Sequence, residues 1–235
     1  MKIKYSLIFL LLFACQFASA QSQDSAYSRH SLGITINPIY DNTFNTKHPV
    51  AYGLLYRYQY VTANSIRIGV FGAYESKHYT TTLTPHPAPQ DTLIATKLFQ
   101  FVIGHEWQYQ TSKLFSVGYG LDLSPYVMRR HFSLDNILIG ENVILNEQID
   151  RKYKTIGVNL QPFLNFRYEL SPKLYLVAEC KASLGYSRER YSASGTWGDV
   201  NESLEDRGVF TGGAKTERIN SLLLPLASLQ LNFRL

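Results

Sequence analysis

Three features of the sequence predict an all-β fold, an eight-stranded antiparallel up-and-down transmembrane β-barrel. Apolar side chains recur at every second position through one segment after another. Short and long connectors alternate between those segments. The chain then ends on a further alternating stretch, LASLQLNFRL. A period of two puts neighbouring side chains on opposite faces of a strand, whereas a helix face repeats every 3.6 residues.

Residues 1–20 read as a secretory leader rather than as part of the fold. Lys2 and Lys4 precede an apolar core at 7–13, and Ala18, Ser19 and Ala20 form a small-residue cleavage site before Gln21. The apolar run is shorter than the ~20 residues a membrane-spanning helix needs. Leu12-Phe13-Ala14-Cys15 also resembles a lipoprotein cleavage box, which Phe13 fits poorly. Removing the leader leaves residues 21–235 as one domain, with 21 basic against 18 acidic residues. That balance is too mild to point to nucleic acid. Cys15 leaves with the leader and Cys180 stays alone, so no internal disulfide is available to an exported chain.

The strands follow in order. Leu32, Ile34 and Ile36 alternate with Gly33, Thr35 and Asn37. Tyr52, Leu54, Tyr56, Tyr58 and Tyr60 alternate with Gly53, Arg57 and Gln59. Ile66, Ile68 and Val70 oppose Arg67, Gly69 and Glu75. Phe99, Phe101, Ile103, Trp107 and Tyr109 oppose Gln100, Gly104 and Glu106. Phe115, Val117, Tyr119, Leu121 and Leu123 oppose Gly118, Gly120 and Asp122. Ile156 to Leu170 and Leu174 to Tyr186 form two long strands around Ser171-Pro172-Lys173. Leu229, Leu231, Phe233 and Leu235 close the chain. Pro225, beside Leu222, Leu224 and Leu226, predicts a bulge and register shift in the last strand, and Pro162 raises the same question in the sixth.

The short connectors lie at 61–65, 110–113 and 171–173. The long ones lie at 41–48, 80–92, 132–150 and 192–215. An outer-membrane barrel has this asymmetry of tight turns at one end and longer loops at the other. In lipid a sheet must close on itself, because no water is present to satisfy an open edge. Tyr58, Tyr60, Tyr74, Trp107, Tyr109, Tyr168, Tyr175, Tyr186 and Tyr191 cluster near strand ends, as aromatic girdles would. Parity alone does not say which face points inward. A soluble barrel holding an apolar ligand would show the same alternation with the opposite polarity.

Leader, strands and the closing LASLQLNFRL together resemble small outer-membrane β-barrel proteins of Gram-negative bacteria. The resemblance covers residues 21–235 and implies residence in the cell outer membrane. It implies that Leu229, Leu231, Phe233 and Leu235 form the signal read by the barrel assembly machinery, with Leu235 in place of the usual terminal Phe. Gln21 and the SPKLYL turn resemble the narrower PorT-type proteins. Outer-membrane lipid and lipopolysaccharide are the further partners implied, with no cofactor and no nucleic acid.

An eight-stranded barrel has an interior just wide enough for side chains. Arg57, Arg67, Glu75, Lys77, Asp122, Arg167, Glu169, Glu179, Lys181 and Arg234 are the residues expected to fill it as a cross-strand ion network; a narrow polar channel is the alternative. The sequence shows no metal-ligand cluster and no phosphate-binding loop. Arg129, His131 and Ser133 share one parity, and His131, Ser133 and Glu147 resemble the arrangement of a lipid A deacylase. Their other reading is a basic patch facing lipopolysaccharide phosphates. The stretch 136–146, NILIGENVILN, reads as a hairpin above the membrane with an edge open to a partner strand. Gly195, Gly198, Gly208, Gly212 and Gly213 mark the last long connector as the most flexible. The expected function is that of a non-enzymatic barrel serving envelope structure, or binding a partner or ligand through its outer loops. The alternatives are a lipid A-modifying hydrolase, a narrow pore and a secreted soluble ligand-binding barrel.

Overall fold

The computed structural model describes residues 29–37, 51–61, 63–82, 89–139, 144–199 and 207–235. The leader and its cleavage site lie outside them. Eight strands follow in chain order: β1 His30–Asn37, β2 Ala51–Val61, β3 Asn64–Thr82, β4 Pro89–Gln110, β5 Phe115–Ile139, β6 Ile144–Ser171, β7 Leu174–Asp199 and β8 Gly208–Arg234. Each pairs antiparallel with the next, and β1 pairs with β8 to close the ring. Ile34 sits opposite Leu54 on one side and Leu231 on the other.

The three tight connections share one end. Between β4 and β5, the Thr111 and Ser112 amides and the Thr111 hydroxyl donate to the Phe115 carbonyl, at 3.0, 3.0 and 2.9 Å. The Ser112 hydroxyl in turn accepts from the Leu114 and Phe115 amides. At the β6–β7 turn the Lys173 carbonyl accepts from the Arg234 amide at 2.9 Å, tying that turn to the chain end.

The polarity of the wall settles the question that parity left open. Outward-facing side chains are apolar: Ile34, Leu54, Ile68, Phe101, Leu121, Leu160, Leu176 and Leu229 are all exposed. Inward-facing ones are polar and sealed, with Arg67, Glu106, Asp122 and Asn232 at 0% exposure. A water-soluble barrel with an apolar pocket would be the reverse, so that alternative fails. Such a wall matches hydrocarbon outside and a polar lumen inside.

The strands are longer than the alternation alone predicts. A barrel strand crosses a bilayer in ~9–11 residues, whereas β3 to β8 run for 19 to 28. The expected long connectors at 80–92, 132–150 and 192–215 are therefore mostly hairpin: β3 pairs with β4 up to Thr82↔Pro89, and β7 with β8 up to Trp197↔Gly208. The glycines expected to loosen the last connector lie within β7 and β8. The hairpin at 136–146 is paired by its flanking strands only at its base, where Asn136 faces Gln90 of β4 and Leu145 and Asn146 face Asp199 and Gly198 of β7, while Ile137, Leu138 and Ile139 pair only with β6 among the described residues. Its tip, Gly140-Glu141-Asn142, lies outside the described residues. β1 and β2 are described over 8 and 11 residues. Above Tyr52↔Gly72 the described residues of the wall belong to β3 to β8.

The prolines act where the sequence places them. Leu224 faces Lys181 and Ser228 faces Glu179, so three residues of β8 around Pro225 oppose the single Cys180. At Pro162 the ladder to β7 skips pairs but resumes in the same register. Gly120 has a steric role: a methyl there would overlap the Phe163 ring and the His105 carbonyl oxygen.

A charge on the apolar face tests this polarity. Leu121→Arg should destabilise the folded barrel by about 2–4 kcal/mol, and Tyr109→Arg, beside the turn, by about 0–1 kcal/mol. Urea unfolding in lipid vesicles followed by gel mobility would measure both. Equal effects at the two depths would contradict a lipid-facing wall.

Candidate functional site

The lumen is organised around Arg67. Its guanidinium on β3 makes a bidentate contact with Glu179 on β7, at 2.7 and 3.2 Å. It also lies 3.2 Å from Asp122 on β5 and 3.6 Å from Glu106 on β4. Lys181 bridges Asp122 and Glu179 at 3.1 and 3.0 Å. Arg57 on β2 donates to Glu106 at 3.0 Å and to Asn232 on β8 at 2.5 Å. Arg167 on β6 reaches Glu106 at 3.5 Å. The Arg67 guanidinium also stacks 3.9 Å over the Phe163 ring. Side chains from β2 to β8 thus meet at one level, and each acid serves at least two cations. Gly104 lies in register between Arg67 and Asp122, and a Cβ there would overlap the Asp122 carboxylate.

Of the ten residues expected in the lumen network, Arg57, Arg67, Asp122, Arg167, Glu179 and Lys181 meet in this cluster. Glu169 and Arg234 form a separate pair, 2.6 Å apart, near the β6–β7 turn. Glu75 and Lys77 pair at 2.9 Å on the upper part of β3, half-exposed and away from the cluster. Glu106 was missing from that expected set, although it shares the parity of Gln100 and Gly104, which is the signal that would have included it. Tyr175 is a correction to the expected girdle. It faces inward at 1% exposure, bonds Ser31 at 2.7 Å through its hydroxyl, and carries Arg167 4.3 Å over its ring. The outward girdle does contain Trp107 stacked on Tyr119, and Tyr60 bonded to His105 at 2.7 Å. Leu229, Leu231, Phe233 and Leu235 lie along the outward face of the closing strand; Leu229, Phe233 and Leu235 are exposed.

The expected His131, Ser133 and Glu147 arrangement is not assembled. Register puts Asp150 opposite Ser133 and Lys152 opposite His131, on the outward face. Glu147, an odd position of β6, points to the other face and cannot orient His131. The His131 Nε2 instead contacts Asp150 at 2.5 Å, and Lys152 lies 2.8 Å from the same carboxylate. Partial burial opposes ionisation of Asp150, but the hydrogen bonds from Lys152 and His131 prevail and hold its carboxyl below the usual range. Among the described residues no group of three or more metal-ligating side chains converges.

Above the apolar wall, the outward side chains of β4 to β8 line a cleft of about 940 Å³. Lys97, Arg129, Lys154, Arg190 and Lys215 line it, with Tyr74 of β3 at one side and Gly213 of β8 at the other.

No protein-family model and no curated protein matches the chain. Solved structures that share similarity with the chain include three with TM-scores of 0.36 to 0.40. CarO of Acinetobacter baumannii is 9% identical with a TM-score of 0.36, covering 91% of this chain and 100% of that one. A major outer membrane protein of Thermus thermophilus is 10% identical with a TM-score of 0.40, covering 88% and 99%. CarO2 of Acinetobacter baumannii is 11% identical with a TM-score of 0.36, covering 90% and 100%.

Arg67 is the test of the lumen cluster. Arg67→Met leaves three buried carboxylates short of a cation and should cost about 3–5 kcal/mol. Glu75→Gln breaks a half-exposed pair and should cost about 0–1 kcal/mol. Unfolding midpoints of both variants against wild type would check the contrast.

Proposed function

We propose that this chain is a non-enzymatic outer-membrane β-barrel whose lumen is closed by its own side chains and whose role lies on its outer surface. The observation that carries this reading is the Arg67 cluster inside a closed ring with an apolar exterior. Eight strands leave room for little more than side chains. Here that room holds Arg57, Arg67, Glu106, Asp122, Arg167, Glu179 and Lys181, with Phe163 against them. An ion entering the lumen would have to break several buried pairs at once, so a steady pore is disfavoured.

In this reading the three tight turns face the periplasm and the long β3–β8 extension stands outside the cell. The final strand, with Leu229, Leu231, Phe233 and Leu235 outward, is the segment the barrel assembly machinery engages. The narrower PorT-type assignment rests on Gln21 and the SPKLYL turn. Outer-membrane lipid, including lipopolysaccharide, is the surrounding partner, and the upper hairpins are where a protein partner would dock. The separation of Glu147 from His131 leaves the hydrolase alternative without an orienting acid, and Asp150 in its place is shared with Lys152.

Three measurements test this. Wild-type protein should fractionate with outer membranes and change gel mobility only after boiling; recovery in the soluble periplasm would overturn the location. In a Cys180→Ser background, a cysteine at Thr211 should react with an impermeant reagent on intact cells, and one at Ser112 or Lys173 only after the outer membrane is opened. Planar bilayers should show no steady large conductance, and His131→Ala with Ser133→Ala should leave lipid A unchanged. Stable open channels would favour the pore, and deacylation dependent on both residues would favour the hydrolase.

A further inference from the structure

One row of the sheet carries a cation on each of five adjacent strands. Lys97 faces Arg129, Arg129 faces Lys154, Lys154 faces Arg190, and Arg190 faces Lys215. All five point to the outward face and line the cleft above the apolar wall. Like charges directly opposite one another weaken a sheet, and this row has four such neighbours in succession.

The neighbouring rows are neutralised and this one is not. One row below, Arg188 pairs with Glu217 at 3.1 Å. One row above, Lys152 pairs with Asp150 at 2.8 Å. Among the described residues, no acid forms an ion pair with Lys97, Arg129, Lys154, Arg190 or Lys215. Lys97 instead lies 5.6 Å from the Tyr74 ring centre. Directly beneath the row stand Phe99, Val127 and Ile156, outward apolar residues of β4, β5 and β6. Phe99 and Ile156 are exposed. The face therefore changes from hydrocarbon-compatible to basic within one step along each of these strands.

We propose that this cleft binds the phosphorylated headgroup of a glycolipid, with its acyl chains against the apolar wall below. The inference deepens the outer-membrane reading and rests on it. Phosphate oxygens accept charge-assisted hydrogen bonds from ammonium and guanidinium groups, and Arg129 and Arg190 can each give a bidentate one. Several unneutralised cations in a row suit a headgroup with more than one phosphate. The apolar residues in the next row favour a lipid over a free anion, because they offer the tails a surface that a soluble phosphate cannot use.

The test compares wild type with a variant carrying Lys97→Gln, Arg129→Gln, Lys154→Gln, Arg190→Gln and Lys215→Gln, and with Arg188→Gln as a control, an outward cation already paired with Glu217 and outside the cleft lining. Each is purified in detergent and offered lipid A bearing its phosphates, lipid A stripped of them, or inorganic pyrophosphate. Bound lipid per protein is read by fatty-acid analysis after gel filtration, and bound pyrophosphate by its displacement of the phosphorylated lipid. Wild type and Arg188→Gln should retain the phosphorylated lipid, less at high salt, and not the stripped form. Each single cation removed from the row should weaken retention about fivefold, and the five together should abolish it while heat-dependent gel mobility persists. If the fivefold variant loses that mobility, Arg129→Gln and Lys154→Gln alone decide the matter. Undiminished retention in the variants, or equal retention of stripped lipid, would overturn the inference. Pyrophosphate binding as tightly as the lipid would overturn the lipid assignment. A wild-type protein that fails to float with liposomes defeats the membrane reading itself, whereas one that floats but retains no phosphorylated lipid defeats only the cleft.

Discussion

Closure of the backbone ladder is the constraint on which the rest depends. An amide or carbonyl left unpaired in hydrocarbon costs several kcal/mol, so a spanning sheet has no tolerable edge. Here closure is made by the short β1, whose Ser31–Ile36 segment pairs with Leu229–Arg234 of β8. The chain end is held there by the Leu235 amide on the His30 carbonyl at 3.0 Å. The ring is thus complete over the levels where the outward face is apolar.

Closure with so few strands makes a narrow lumen, and the polar parity must fill it. Buried ions are stable only with close partners and good geometry. The chain meets that condition by sharing: Glu106 contacts Arg57, Arg67 and Arg167, while Asp122 and Glu179 each contact Arg67 and Lys181. Glycine at 104 and 120 lets Asp122 and Phe163 reach their places. The interior is therefore one interlocked unit, in which removing Arg67 leaves all three carboxylates a partner short. The pairs at the ends, Glu169 with Arg234 and Glu75 with Lys77, stand apart from that coupling.

Period two made the eight strands and the shared tight-turn end legible in the sequence, because alternation is a local property of neighbouring residues. Pro225 likewise announced its bulge. Strand length was not legible. In the upper hairpins the two faces are both polar, as at Arg129, Arg130 and His131, so alternation fades although pairing continues. The direction of the wall was not legible either, since parity is symmetric until closure decides which side is enclosed. Lumen residues could be proposed by parity, but not their partners, because Arg67 and Glu179 lie 112 positions apart. The row from Lys97 to Lys215 was invisible for the same reason. Each strand contributes one cation, and only register across four pairings brings them side by side.

The two sets of cations illustrate one rule of electrostatics applied in two surroundings. Inside the barrel no mobile counterion has easy access, so the sequence provides carboxylates on β4, β5 and β7 for arginines on β2, β3 and β6 and for Lys181. On the outer face, above Phe99 and Ile156, water, salt and anionic lipid headgroups can all approach. There the sequence places Glu217 on the row of Arg188 and Asp150 one row beyond Lys152, and leaves the row of Lys97, Arg129, Lys154, Arg190 and Lys215 without an acid. A sheet that needed only solubility at this height could alternate signs, as Arg188 and Glu217 do. Four successive like-charge neighbours work against the sheet that carries them unless something negative lies over them. The missing carboxylates are thus the informative feature: where the described residues leave this row without counterions beside an apolar wall, the surroundings can supply them.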